Sequence, residues 1–130
     1  MDKLETIFTM QKALDDDIAR RRGLHFTSLE WIEKDVLAII AEAGELLDEV
    51  NYKWWKNPKP VDDSAVKEEM VDILHFFISM CIRAGMDAEE LYRIYISKNR
   101  ENFDRQYGRS KKTGYDIKAC DEEGVLNGEG

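Results

Sequence analysis

Histidine, cysteine, proline and net positive charge are all scarce in this chain of 130 residues. The two histidines are His25 and His75, and neither completes a Glu-x-x-His motif. That excludes the carboxylate-bridged di-iron bundle, which needs the motif on two helices. The two cysteines, Cys81 and Cys120, are far apart and have no histidine cluster beside them, which excludes structural zinc. Cys81 falls in an apolar helical run and reads as a small core residue. Nothing supports a disulfide, so a reducing, cytoplasmic setting is expected. A formal net charge of −8 cannot release many phosphate counterions, so a general nucleic-acid binder is excluded. A single nucleotide stays open as a ligand, because bound cations reverse the local sign. No apolar run approaches a membrane span, so no membrane partner is expected. The opening MDKLETIFTMQK is charged from Asp2 onward, unlike a signal peptide.

What is present is helical periodicity, with no convincing strand. Leu4, Ile7, Phe8, Met10, Leu14 and Ile18 predict a first helix from about Leu4 to Arg22, with Gly23 as its stop. Thr27-Ser28-Leu29-Glu30 is a capping box for a second helix reaching about Trp55, closed by Asn57-Pro58-Lys59-Pro60. The cap cluster Asp62-Asp63-Ser64 opens a third, which runs to Arg83 or Ala84 and stops at Gly85. Asp87-Ala88-Glu89-Glu90 opens a fourth, which ends near Tyr107. The expected architecture is all-α, a four-to-five-helix bundle. Residues 1–108 form its helical domain, and 109–130 form a mobile C-terminal arm. Helices two and three are apolar nearly all round, and so short a chain cannot cover them alone. A second copy is the expected cover, giving a homodimer.

Two pairs of acids interrupt these apolar runs. Glu42-Ala43-Gly44-Glu45 lies in helix two and Glu69-Met70-Val71-Asp72 in helix three. Acids three apart sit about 60° apart around a helix, one turn along the same face. Glu49 continues the first face, and Asp48 points aside to solvent. Flanking Ile39, Ile40, Ala41, Ala43, Leu46 and Leu47 leave little room for water. Buried acids must protonate, pair with a base, or bind a cation. Helix three offers no Lys or Arg between Lys67 and Arg83, which weakens the salt-bridge alternative. Hard oxygen ligands in a cluster select Mg²⁺, with Mn²⁺ as a substitute. Gly44 costs about 1 kcal/mol relative to Ala in a helix, which a close approach by ligand or helix would justify.

Other residues gain meaning beside such a cluster. Lys98, Asn102 and Arg105 form a basic stripe on helix four, suited to a polyphosphate; taken alone, the stripe reads as a solvated face. Lys111, Lys112 and Tyr115 are placed to fold over phosphates as a lid. Trp54 and Trp55 at a helix end cannot both face the core. Either one stacks on a base, or they divide between core and dimer interface. Gln11 suits a base edge. His75, three residues after Asp72, reads as a packing residue rather than a pocket residue.

The segments Met10-Gln11-x-x-Leu14-Asp15, Glu42-x-x-Glu45-x-x-x-Glu49, Tyr52-Lys53-x-Trp55, Glu69-x-x-Asp72-Ile73-Leu74-His75-Phe76 and Lys98-x-x-x-Asn102-x-x-Arg105, with Gly114-Tyr115 behind, occur in that order. This pattern resembles the dimeric all-α dUTPase family of the all-α NTP pyrophosphatase superfamily, which also holds MazG-type enzymes. The resemblance spans roughly residues 4 to 115. It implies Mg²⁺-dependent hydrolysis of dUTP to dUMP and pyrophosphate. Glu42, Glu45, Glu69 and Asp72 would be the metal ligands, with Glu42, or its neighbour Glu45, also handling the attacking water. Gln11, Asp15, Trp54 or Trp55, and Phe76 would hold the base. Lys53, Lys98, Asn102, Arg105, Lys112 and Tyr115 would hold the phosphates. One departure is Asp15, where many relatives carry Asn. Two alternatives stand beside dUTP: a MazG-like or dCTP-directed pyrophosphatase, and a non-catalytic helical dimerisation module.

Overall fold

The structure is a computed structural model that describes residues 1–115 and 117. Residues 116 and 118–130, most of the expected arm, lie outside the described residues. Four helices and no strand occur among the described residues: α1 (Lys3–Arg22), α2 (Ser28–Glu49), α3 (Asp63–Arg83) and α4 (Ala88–Gln106). No helix is long and apolar enough to cross a membrane.

Local chemistry sets the helix ends. Asp2 caps α1 in a reciprocal box with Glu5, and Gly23 closes it in the left-handed region at φ 61°. Thr27 and Glu30 form the expected box at the start of α2. The Asp62 carboxylate accepts from the Ser64 and Ala65 amides to start α3, and Asp87 accepts from the Glu90 amide ahead of α4. These side chains satisfy amides that the first helical turn leaves without partners.

The end of α2 departs from expectation. The helix stops at Glu49, several residues before Trp55. Asn51 takes a left-handed φ of 57°. Its side-chain amide then bridges across the loop, donating to the Lys59 carbonyl (2.8 Å) and accepting from the Lys59 amide (3.0 Å). The left-handed turn at Asn51 ends the helix before the prolines, and the pairing with Lys59 closes the loop that holds Pro58. Trp54 and Trp55 therefore stand on a loop, edge to face at 4.6 Å between centroids.

The residues divide into two compact units, Met1–Leu91 and a second from Tyr92 onward. Within the first, α3 lies against both α1 and α2, with the larger contact on α2. The core gathers Phe8, Ile78, Cys81 and Ala88, flanked by Leu4, Ile82, Met86 and Leu91. It sits at the C-terminal end of α3. Met70, Leu74 and Phe77 of α3 are exposed, as are Val36, Leu37, Ile40 and Leu47 of α2. The described residues leave these apolar faces exposed, so they do not bury α2 and α3 all round.

Candidate active site

The two acid pairs meet where α2 packs on α3. One carboxylate oxygen each from Glu42, Glu69 and Asp72 lies within 4.8 Å of the others. Glu42 Oε2 and Glu69 Oε2 are buried and, while both acids are ionised, have no hydrogen-bond partner. The Glu69 carboxyl is pushed up to about 7. A proton shared with Glu42 is the largest cause, followed by burial and the charges of Glu45, Glu42 and Asp72. Repelling carboxylates that retain a proton near neutrality, with oxygens left unpaired, suit a hard divalent cation. Glu45 is exposed, stands outside the group of three and acts on Glu69 through its charge. Gly44 has open space where a Cβ would point, so no close approach among the described residues explains it.

A cavity of about 470 Å³ adjoins this cluster. Glu42 and Asp72 line it, together with Gln11, Leu14, Asp15, Ile18, Trp31, Asp35, His75, Phe76, Ser79 and Arg83. That volume is within the range of small-ligand sites. Its polar wall is a hydrogen-bonded chain across α1 and α3. Gln11 Nε2 donates to Asp15 Oδ1 (2.8 Å), Ser79 Oγ donates to Asp15 Oδ2 (2.7 Å), and His75 Nδ1 lies 2.6 Å from Gln11 Oε1. Asp15 accepts, so Gln11 must turn its NH₂ toward it and its carbonyl oxygen toward His75. That orientation makes His75 Nδ1 the donor and leaves Nε2 as an acceptor.

Asp35, on α2, is only 6% exposed, and its Oδ2 has no partner. Burial pushes its carboxyl above the usual range and the Asp15 charge adds to this, while a hydrogen bond with Ser79 and the charge of Arg83 oppose it. Arg83 lies over the Trp31 ring at 4.5 Å, and Phe26 meets Trp31 edge-on at 4.9 Å.

Several expected site residues converge here: Gln11, Asp15 and Phe76 line the same cavity as Glu42 and Asp72. His75, expected as packing, lines the cavity too. Trp54 and Trp55 do not; they are 87% and 59% exposed, and Trp31 is the tryptophan at the cavity. Lys53 lines a separate hollow of about 400 Å³ beside Asp48, Asn51 and Lys59. Trp31, Asp35, Ser79 and Arg83 were absent from the expected site. Spacing held the signal: Asp35 precedes Glu42 by seven residues and Ser79 follows Asp72 by seven, two turns along the same faces.

In the second unit, the basic stripe gathers around an acid. Glu101 takes the Arg105 guanidinium at 2.5 Å and Lys98 Nζ at 3.8 Å. Arg105 holds its carboxyl below the usual range, with Lys98 and Lys112 adding to the effect. Arg105 also donates to Asn102 (3.4 Å) and lies 5.8 Å from the Tyr115 ring centroid. Lys98, Asn102, Arg105, Lys112 and Tyr115 are thus brought together. Asn102 also lines a hollow of about 720 Å³ with Phe103 and Tyr107.

Comparison with known proteins adds to this geometry. A family model described as dUTPase matches residues 3–88. The dCTP pyrophosphatases of Enterobacteria phages LZ5 and T4 are 34% and 33% identical over 111 residues. Those alignments cover 81% of this chain and 64% and 65% of the phage proteins, so the chain spans just under two-thirds of their length. A DNA replication protein of phage T4 is 31% identical over 105 residues, which is 76% of this chain and 27% of that protein. No solved structure matches.

Proposed function

Because this chain belongs to the dUTPase family, we propose that it hydrolyses a nucleoside triphosphate to the monophosphate and pyrophosphate, and that the substrate is dCTP. The observation that carries the reading is one cavity lined by the carboxylates of Glu42 and Asp72 and by the acceptors Asp15 and Asp35. Glu42, Glu69 and Asp72 would hold a divalent cation, Mg²⁺ or Mn²⁺, with Glu45 beside them. When bound, the cation supplies positive charge that neutralises the triphosphate and polarises the phosphoryl group. Glu45, outside the group of three, is the acid left to orient the attacking water and take its proton, a role Glu42 would fill otherwise.

The base assignment favours cytosine over uracil on chemical grounds. Cytosine presents an amino donor at C4, whereas uracil presents a carbonyl acceptor there. An asparagine offers both donor and acceptor, but Asp15 offers acceptors once Gln11 and Ser79 have donated to it. Acceptors facing the uracil carbonyl stay unpaired, and that penalty discriminates. The names of the two phage pyrophosphatases point the same way. Phe76 supplies an aromatic surface for the ring.

The test is to incubate the protein with Mg²⁺ and, separately, dCTP, dUTP, dTTP and UTP, measuring pyrophosphate and nucleoside monophosphate. Preferential release of dCMP is expected. Preference for dUTP would restore the family's own base. Turnover of none, with Mn²⁺ also tried, would favour the non-catalytic helical module. Glu69→Gln and Asp72→Asn should each lower kcat/KM by about a hundredfold or more if they hold the cation.

A further inference from the structure

The hydrogen-bonded chain along the cavity has a direction, and Asp15 sets it. A carboxylate has no hydrogen to give. Gln11 Nε2 (2.8 Å) and Ser79 Oγ (2.7 Å) therefore both donate to it. With its amino end on Asp15, Gln11 presents its carbonyl oxygen to His75, 2.6 Å from Nδ1. The neutral ring must then carry its proton on Nδ1 and a lone pair on Nε2. Gln11 and Ser79 are only 6% and 4% exposed. A reversed Gln11 amide would set acceptor against acceptor where little water reaches. An asparagine at 15 would impose no such direction, because it accepts through oxygen and donates through nitrogen. In one orientation it would leave the chain as it is. In the other, its amino end would meet the Gln11 carbonyl, the Gln11 amino end would meet His75 Nδ1, and the ring proton would sit on Nε2.

We propose that His75 is a specificity-determining residue, held by Asp15 through Gln11 in the Nδ1–H tautomer, so that its Nε2 accepts a hydrogen from the exocyclic amino group of the base. His75 lines the cavity together with Asp15 and is exposed, so Nε2 is the ring nitrogen left to meet a ligand. Two acceptors then face the base: His75 Nε2 and the lone pairs of Asp15 that Gln11 and Ser79 leave unused. The amino group of cytosine brings two hydrogens, one for each acceptor. Uracil brings an oxygen at that position and a single N–H at N3, so at least one acceptor goes unpaired. The opposite tautomer would give the uracil oxygen a donor. Gln11 is a positioning residue in this scheme, since it passes the direction from Asp15 to the ring. This inference rests on the dCTP reading, and it names how the acid at 15 reaches the base.

The experiment has two readouts. The first is the ring-nitrogen NMR spectrum of the full chain without nucleotide, at a pH where the ring is neutral. His25 and His75 are the only histidines, so a His25→Gln variant assigns both. Free histidine carries its neutral-ring proton mainly on Nε2, so the expected Nδ1–H form of His75 reports the constraint from Gln11. Asp15→Asn, close in shape to the wild type, should bring in the Nε2–H form. A wild-type ring protonated on Nε2, or an Asp15→Asn chain whose ring stays fixed on Nδ1, would overturn the proposal. The second readout is the ratio of kcat/KM for dCTP to that for dUTP. His75→Asn keeps a polar group for Gln11 but has no Nε2, and it should lower the ratio about tenfold, chiefly through KM for dCTP. Asp15→Asn should lower the ratio and also raise kcat/KM for dUTP, which a damaged fold would not do. An unchanged ratio in His75→Asn would overturn the role of the ring and leave the dCTP reading in place. A wild type with no preference for dCTP removes that reading, and this inference with it, whatever the tautomer.

Discussion

At the scale of single residues, the acid cluster ties stability to pH. Glu69 holds its proton to about 7 in the folded protein, against 4.5 for an ordinary glutamate. Below the lower value both folded and unfolded chains are protonated, and the group contributes nothing to pH dependence. Between the two values the folded chain holds the extra proton, so stability falls as pH rises through that window. Without added cation, the melting temperature should drop across this interval, and Glu69→Gln should flatten the slope. Mg²⁺ or Mn²⁺ competes with the proton, so its stabilising effect should grow towards the upper end. Calorimetry with and without chelator measures both; a cation shift that shrinks as pH rises would contradict the site. The acids Glu42, Glu69 and Asp72 were legible because interrupted apolar periodicity marks them. Asp35 was less so, because a single acid among Glu33, Lys34 and Val36 looks like a solvated helix face until α1 and α3 close over it.

At the scale of elements, the helix starts were legible and one helix end was not. Thr27, Asp62 and Asp87 act through amides two or three residues away, so local sequence suffices. The stop of α2 depends on Asn51 pairing with Lys59 across a loop, which no local pattern announces. Gly44 was read as a sign of close approach, and the protomer leaves open space there. Its helical φ carries no requirement for glycine. Gly44→Ala should therefore stabilise the chain by about 0.5–1 kcal/mol, through lower backbone entropy in the unfolded state. Urea unfolding measures this, and destabilisation would mean that something outside the protomer packs against this turn.

At the scale of the molecule, the first unit buries few large side chains. Phe8, Ile78, Cys81 and Ala88 are its buried hydrophobic core, while Met10, Leu37, Ile40 and Met70 are 67%, 58%, 61% and 54% exposed. Apolar periodicity predicted which faces are apolar, and the described residues do not cover them. Large apolar side chains left exposed on three helices suit an interface, and each one covered contributes about 1.5–3 kcal/mol. We propose a second copy as the cover, since α1, α2 and α3 all present such residues and a self-complementary patch closes with twofold symmetry. Sedimentation should give twice the mass of the chain. Leu37→Asp or Ile40→Asp, by burying an unpaired carboxylate at the contact, should shift the species towards monomer at the same concentration. Because Asp35 sits between Trp31 and Ile39 on the same helix, loss of the partner should also loosen the cavity wall. The monomeric variants should then lose discrimination between dCTP and dUTP as well as mass. A variant that stays dimeric, or a wild type that sediments as a monomer, would place the cover of these faces elsewhere.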